Sequence, residues 1–517
     1  RRDVLHSLCF PATESRRRGF FRETLQPMNI VLNPSSVADY AMFLRIKSLP
    51  VYRIQGREAW FPDEYASRLG IDPVEAEDVT PRLHPDLFDY QRDISKLAIA
   101  KRRFAVFARC GLGKTFIMFE FARHVRRVLP KKRVLIISPL MVVEQTIAEA
   151  ERFYGSTLKI EQVASSDLGK WTQGKSGCIG ITNYEALRGD VEQGNLGAMI
   201  LDESSLLKSH YGKYGQECIR LGAGLEWKLA LTGTPAPNDR IEYGNHAVFL
   251  DQFPTVNAFL ARYFVNRGQT QERWELRPHA IRPFYSSLSH WCIFLSNPAI
   301  YGWKDNCGTL PPINVHIHDV DLTAEQSRLI QGETGQLFST NLGGIVSRQR
   351  LARIAKGKNG DGKIETHKPE FIRRLVESFK GKSCIVWCKY NDEQDAMAAM
   401  FPEAANISGD TPHAKRLELI DAYKLGERQL LISKPKILGF GLNLQRTTKM
   451  IFSTLQDSYE EYWQAICRAN RTGSTESLDV HIPLTDVERP MVETVLKKAK
   501  RVEADTEEQE RAFYATR

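Results

Sequence analysis

The chain has 517 residues, with 71 Lys+Arg against 62 Asp+Glu for a formal charge of +9, and 42% of it is hydrophobic. That apolar share excludes a disordered chain, and nine cysteines, sparse and odd in number, exclude a small disulfide scaffold. No apolar run approaches the roughly 20 residues that span a bilayer, so a soluble, reduced, cytoplasmic protein of about three or four units is expected, its basic balance pointing only weakly to nucleic acid.

Residues 1–27 carry six Arg against three acidic residues and show no hydrophobic period. They read as a basic leader, either a native arm or non-native read-through ahead of Met28. From 28 to 84, short apolar groups (Val51-Tyr52, Trp60-Phe61) separated by turns suggest a small N-terminal accessory region. From 85 to 250, β-branched runs at Phe104–Phe107, Val134–Ile137, Ile179–Ile181, Ala198–Leu201 and Leu229–Leu231 alternate with amphipathic stretches. Buried strands alternating with helices predict a parallel α/β sheet. Residues 251–320, rich in aromatics, Arg and Pro, read as a helical and aromatic joint whose end is stiffened by Pro311-Pro312. The alternation returns over 321–486, with strands at Cys384–Trp387, Leu430–Ile432, Met450–Phe452 and Val480–Ile482. Residues 487–517 have helical spacing and are expected to pack on the second lobe. The fold class is therefore α/β, with two parallel-sheet lobes in tandem.

The strand at Phe104–Phe107 runs into Ala108-Arg109-Cys110-Gly111-Leu112-Gly113-Lys114-Thr115 and then an apolar helix, the context a phosphate-binding loop requires. Glycines let backbone N–H groups approach phosphates, and the helix N-terminus adds partial positive charge. Lys114 suits the β- and γ-phosphates and Thr115 suits Mg²⁺. Ala108 replaces the first glycine of the general pattern. Asp202-Glu203 close a buried strand 88 residues after Lys114, at the end where open α/β sheets bind ligands. Asp202 suits Mg²⁺ binding and Glu203 suits polarising an attacking water.

The ordered set of motifs resembles a superfamily-two helicase or translocase of the Swi/Snf-like branch, in its compact phage and bacterial form. Leu87-Phe88-Asp89-Tyr90-Gln91 is similar to the adenine-reading glutamine motif, and the phosphate loop to motif I. Ser138-Pro139 with Gln145 resembles motif Ia, and Thr182-Asn183 lies in the next strand-end motif. Asp202-Glu203-Ser204-Ser205 takes the place of motif II and Leu231-Thr232-Gly233-Thr234-Pro235 that of motif III. Gly439 to Gln445, including Gly441, Asn443 and Leu444, resembles motif V. Gln464, Arg468 and Arg471 have the spacing of motif VI.

The resemblance implies two RecA-like lobes with ATP and Mg²⁺ between them, catalysis by Glu203, Gln464, Arg468 and Arg471, and coupling through Thr232, Gly233 and Thr234. ATP binding would use Gln91, Gly111, Gly113, Lys114, Thr115 and Gly441, with Thr115 and Asp202 on the metal. Arginine fingers contribute roughly 10³–10⁵ in rate. Nucleic acid would lie along Pro139, Gln145, Thr182, Asn183, Asn443 and Leu444, held by its phosphates rather than its bases. Where chromatin-remodelling relatives carry Gly-His or Ala-His, this chain has Ser204-Ser205, so no imidazole is expected to couple motif II to motif III. The short joint and the lack of histone-reading segments argue against nucleosome remodelling.

Pro130-Lys131-Lys132-Arg133 resembles a nuclear-import signal, yet it runs straight into a buried strand. Cys384 and Cys388 lack partners at zinc spacing, and His316 and His318 fit one face of an exposed strand. The expected activity is a DNA-dependent ATPase that tracks along or remodels duplex or branched DNA in a bacterial or phage-infected cell. An RNA helicase, an ATP-gated clamp with weak hydrolysis, and a motor serving a separate nuclease or recombination partner are the alternatives.

Overall fold

The computed structural model describes residues 27–516 apart from 50–51, 63–64, 72–79, 210–211, 269–272, 306–309, 340–343, 360–361, 439–441, 456–457 and 472. Residues 1–26 of the basic leader lie outside the described residues, and its last residue, Pro27, opens the first strand. The chain forms two compact units, Arg1–Asn306 with Val502–Arg517, and Cys307–Arg501. No helix among the described residues is long and apolar enough to cross a membrane.

The first unit opens with a small antiparallel sheet of β1 (Pro27–Val31), β2 (Arg53–Gln55) and β3 (Glu58–Pro62), in the order β1-β3-β2. It closes its own core around Ile46, Phe61 and Tyr65.

The main sheet of this unit uses β4 (Arg103–Ala108), β5 (Arg133–Ser138), β6 (Ile160–Gln162), β7 (Ile179–Asn183), β8 (Leu196–Asp202) and β9 (Trp227–Thr232). β10 (Phe264–Asn266) and β11 (Trp274–Leu276) form a separate hairpin, and β12 (Cys292–Leu295) returns to the main sheet. The order is β12-β4-β9-β8-β5-β7-β6, every pair parallel. Covered on both faces, β5 and β9 are buried at every residue, which is why their sequences read as unbroken apolar runs. Because the strands are parallel, the residues after β4, β5, β7, β8 and β9 all emerge at one edge, and the sheet thereby gathers motifs spread over 130 positions.

Residues 251–306 fall within the first unit. Cys292–Leu295 pairs with Ala105–Ala108 as an edge strand, and Phe259, Tyr263, Phe284, Trp291 and Phe294 are buried in the sheet's core cluster. The aromatic richness of this stretch is core material.

The C-terminal helix, Arg489–Thr516, differs from expectation in its last turns, which belong to the first unit. Burial of specific polar groups explains this. Asp505 accepts from the Arg240 guanidinium at 2.5 and 3.1 Å and from Tyr285 Oη at 2.9 Å, and Glu510 Oε1 accepts the Ser296 N–H at 2.7 Å. Burial, opposed by that hydrogen bond and reinforced by Glu507, pushes the Glu510 carboxyl up to about 7. A carboxyl whose folded pKa is raised costs stability as pH rises, here between about 4.5 and 7. Glu510→Gln is accordingly expected to stabilise the protein at pH 8 and to change nothing at pH 4.5, as thermal unfolding at the two pH values would show.

The second unit holds β13 (Ile313–Asp319), a two-residue hairpin of β14 (Lys358–Asn359) and β15 (Gly362–Lys363), then β16 (Cys384–Trp387), β17 (Ala405–Asn406), β18 (Leu430–Ser433), β19 (Lys449–Phe452) and β20 (Leu478–Leu484). Its sheet, β13-β20-β19-β16-β18-β17, is parallel throughout. β13 is an exposed edge strand, and its His318 Nε2 lies 2.9 Å from His481 Nδ1 on β20. Two RecA-like parallel sheets, with a small N-terminal sheet ahead of them, make up the architecture.

Candidate active site

In the first unit, β4 ends at Ala108 in ordinary extended backbone, so the missing first glycine costs nothing. The turn beyond it does need glycine: Gly111 and Gly113 sit at φ 86° and 66°, left-handed values that side chains disfavour. A Cβ on Gly113 would also lie 2.2 Å from Gln91 Nε2. Gln91, buried near the start of the helix Asp89–Lys101, accepts the Phe88 N–H at 3.1 Å, and the neighbouring Tyr90 Oη donates to Leu112 O at 3.2 Å. The glutamine motif and the phosphate loop are therefore one packed body.

Lys114 opens the helix Lys114–Val128 and turns its ammonium onto Ala108 O at 2.7 Å, inside the loop. Thr115 follows, half-buried in the first helical turn. Backbone N–H groups, a lysine and a hydroxyl converging at a helix N-terminus form the donor set a polyphosphate needs.

Asp202, at the end of β8, accepts Ser138 Oγ at 2.8 Å across to β5. Burial, and then the neighbouring Glu203, push its carboxyl up to about 6, against the opposing pull of Ser138 and Lys114. A magnesium ion fits this carboxylate: it would supply the positive charge that the burial withholds. Asp202 and Thr115 are the residues that would hold it.

Glu203 has left-handed backbone, φ 52° and ψ 52°, a conformation that costs a non-glycine residue energy and that surrounding contacts must enforce. Those contacts are present: Glu203 Oε1 accepts Thr232 Oγ1 at 2.6 Å and Ser205 Oγ at 3.1 Å. Thr232 belongs to motif III, where a Cβ on Gly233 would meet Ala108 O at 3.4 Å. Thr234, also buried, donates its N–H to Thr232 Oγ1 at 3.1 Å. Motifs I, II and III thus meet around one carboxylate, with Ser205 carrying the hydroxyl link.

An imidazole does reach motif II, from a place the motif pattern does not indicate. His246, fully buried on the helix Tyr243–Phe249, places Nε2 3.0 Å from Ser204 Oγ. Burial pushes its pKa down to about 4, so the ring is neutral at working pH. This histidine, on a helix 42 positions after Ser204, contacts motif II only, and the link from motif II to motif III runs through Glu203 and Thr232. His246→Leu should lower the ATP turnover number by about 5- to 150-fold, the ~1–3 kcal/mol of a lost buried hydrogen bond, with the KM for ATP little changed. His246→Gln, which can still bond Ser204, should recover most of it in the same steady-state assay.

In the second unit, Gln464 and Arg468 share the helix Tyr459–Ala469, and Arg471 lies just past its end. Gln464 Nε2 reaches Glu460 at 3.4 Å, and Arg471 Nη1 donates to Leu442 O at 3.4 Å. The Leu444 N–H donates to Arg468 O at 2.9 Å, tying motif V to motif VI. Gly441 lies outside the described residues.

Along the expected nucleic-acid track, Pro139 follows β5, Gln145 and Asn443 are exposed, and Asn183 is half-buried with its amide capping Ala186 N–H at 3.0 Å. Two positions are corrected. Thr182 is buried and its hydroxyl donates to Val163 O at 2.8 Å, and the Leu444 side chain is 1% exposed, its N–H already spent on Arg468. Neither presents a group to a phosphate. Of the basic side chains near these segments, Lys389 and Lys436 face Glu461 at 2.6 and 3.8 Å.

Similar proteins bear on this arrangement. The chain is 23% identical over 426 residues to putative protein p41 of Acyrthosiphon pisum secondary endosymbiont phage 1, across 75% of this chain and 89% of that protein. It is 23% identical over 430 residues to the DNA annealing helicase and endonuclease ZRANB3 of Bos taurus, across 77% of this chain but only 38% of ZRANB3. Among solved structures, the Sulfolobus solfataricus SWI2/SNF2 ATPase core in complex with dsDNA aligns with 79% of this chain and 90% of its own, at 17% identity and TM-score 0.41. S. cerevisiae Dbp5 bound to RNA and ADP BeF3 aligns with 80% and 87%, at 13% identity and TM-score 0.46. The family model for the SNF2-related domain matches residues 107–375, more than half of the chain, and that for the helicase conserved C-terminal domain matches residues 367–473. The chain belongs to the SNF2-related family, the Swi/Snf-like branch of the superfamily-two helicase-type ATPases.

Proposed function

We propose that the protein couples hydrolysis of Mg·ATP to movement along, or remodelling of, duplex or branched DNA. The observation that carries this is Glu203: a carboxylate held in a strained conformation by motif III, next to a metal-type aspartate and beside a phosphate loop. Such a base polarises water onto a γ-phosphate. Its bond to Thr232 makes its orientation depend on the end of β9 and the motif III turn that continues from it, which is how hydrolysis is coupled to conformational change.

Within this reading Gln91 senses the base, Gly111, Gly113 and Lys114 hold the phosphates, and Thr115 and Asp202 hold the metal. When bound there, the ion would supply positive charge against the phosphates. Arg468 and Arg471, with Gln464 on the same segment, are assigned to charge developing on the transferring phosphoryl group. DNA is gripped through phosphates by backbone and side-chain groups of Pro139, Gln145, Asn183 and Asn443. The ZRANB3 relative, a DNA annealing helicase by name, supports DNA over RNA, and the phage relative supports a setting in a bacterial or phage-infected cell.

The experiment is a panel of plain duplex, forked, four-way and single-stranded DNA and duplex RNA, scored for ATPase stimulation. Stimulation by duplex or branched DNA above RNA is the expected result. Stronger stimulation by RNA would replace the reading with an RNA helicase, and tight DNA binding with turnover near background would replace it with a clamp.

A further inference from the structure

The basic turn Pro130-Lys131-Lys132-Arg133 has no part in the chemistry above, and the fold gives it a setting. It borders a cavity of about 500 Å³ in the first unit, lined by Arg82, Arg123, Arg126, Arg127 and Lys159. Arg123 is paired with Glu120 at 2.9 Å. Among the described residues, Arg82, Arg126, Arg127 and Lys159 have no carboxylate at ion-pair distance. Glu161, the one described acidic residue lining the cavity, is occupied by the Trp171 indole N–H and by Cys178 Sγ at 3.0 Å.

Basic residues at a helix C-terminus ordinarily complement its dipole, and this covers part of the cluster. Arg126 donates to Pro130 O at 2.6 Å and Arg127 to Thr80 O at 3.0 Å. It does not cover Arg82 or Lys159, which stand on other segments, and each capping guanidinium keeps further N–H donors. The rim is closely packed, since a Cβ on Gly177 would lie 2.4 Å from Pro130 O and 2.7 Å from Lys132 O. Arg127 and Arg102 add to burial in pushing His124, on the cavity wall, down to about 4. Converging guanidinium forks in a fixed frame match phosphate oxygens.

The position sharpens this. Arg133 begins β5, Lys159 precedes β6, and Gly177-Cys178 precede β7, whereas Pro139 and Asn183 lie at the opposite ends of β5 and β7. At about 3.3 Å per residue the two ends of β5 are roughly 20 Å apart.

We propose that this cavity is a second phosphate-binding site, which holds the backbone of a nucleic-acid segment separate from the one gripped at the strand C-termini. It rests on the reading of DNA as substrate. A second arm of a branched molecule satisfies both ends of the sheet at once.

The test is the double charge reversal R82E/K159E, at two exposed positions, in the full chain. Forked-DNA binding is read by fluorescence anisotropy across a salt series, and inorganic tripolyphosphate binding by thermal shift with excess ADP present to fill the phosphate loop. The expected result is at least about tenfold weaker binding of forked DNA at low salt. The slope of log affinity against log salt should fall by about 2, near 0.9 per lost phosphate contact, with the DNA-free ATPase rate unchanged. If the variant binds forked DNA normally but loses the tripolyphosphate shift, the phosphate site stands and its source is a free polyphosphate. If both are as in the wild type, the proposal is overturned. Wild-type protein that neither binds DNA nor responds to it would instead defeat the DNA reading, and the tripolyphosphate arm would still decide the pocket.

Discussion

Replacing Glu203 by glutamine should cut ATP turnover about 10²- to 10⁴-fold, the range ascribed to a positioned general base, while leaving ATP binding intact. The geometry separates the two effects. The glutamine keeps an oxygen that can accept from Thr232 and Ser205, which hold the residue at 2.6 and 3.1 Å, so the left-handed backbone persists. What is lost is the negative charge that draws a proton from water. Lys114 and the glycine turn are untouched, so nucleotide affinity should change little. Single-turnover hydrolysis alongside equilibrium nucleotide binding would check both halves. Comparable loss of binding would mean that Glu203 is structural.

Asp202→Asn should abolish Mg²⁺-supported hydrolysis and at the same time stabilise the nucleotide-free protein. The Asp202 carboxyl, raised by burial to about 6 from an ordinary 3.8, binds its proton more tightly folded than unfolded. Stability is therefore lost as pH rises between about 4 and 6 and stays lost above. Asparagine carries no charge and still accepts from Ser138. At pH 7.5 it should recover about 1–3 kcal/mol, a gain of several degrees in Tm; at pH 4 the two proteins should unfold alike. Thermal unfolding at several pH values, with ATPase measured on the same samples, tests the sign and the window.

The phosphate loop, Asp202-Glu203 and motif III were legible in the sequence because each follows a buried strand directly, and parallel strands deliver such loops to one edge. His246 was not, since its function depends on a three-dimensional neighbour, Ser204, and nothing in Tyr243–Phe249 marks one polar residue of a buried helix. Thr182 and Leu444 show a related limit. A motif gives residue type and position, but which way a side chain faces is decided by packing, here into the sheet and against motif VI. β12 was missed because Cys292–Leu295 is only four residues long and directly follows a helix. The C-terminal helix was legible as a helix, while the docking of its end turned on buried Asp505 and Glu510, which sequence ranks among surface residues.

DNA is expected to drive this ATPase through the phosphate loop. Steady-state ATP hydrolysis should be measured with and without duplex or forked DNA, for the wild type and for Lys114→Ala. The rate should rise and saturate with DNA in the wild type and stay at background in Lys114→Ala. A wild-type rate indifferent to every DNA tested, or an undiminished rate in Lys114→Ala, would contradict it.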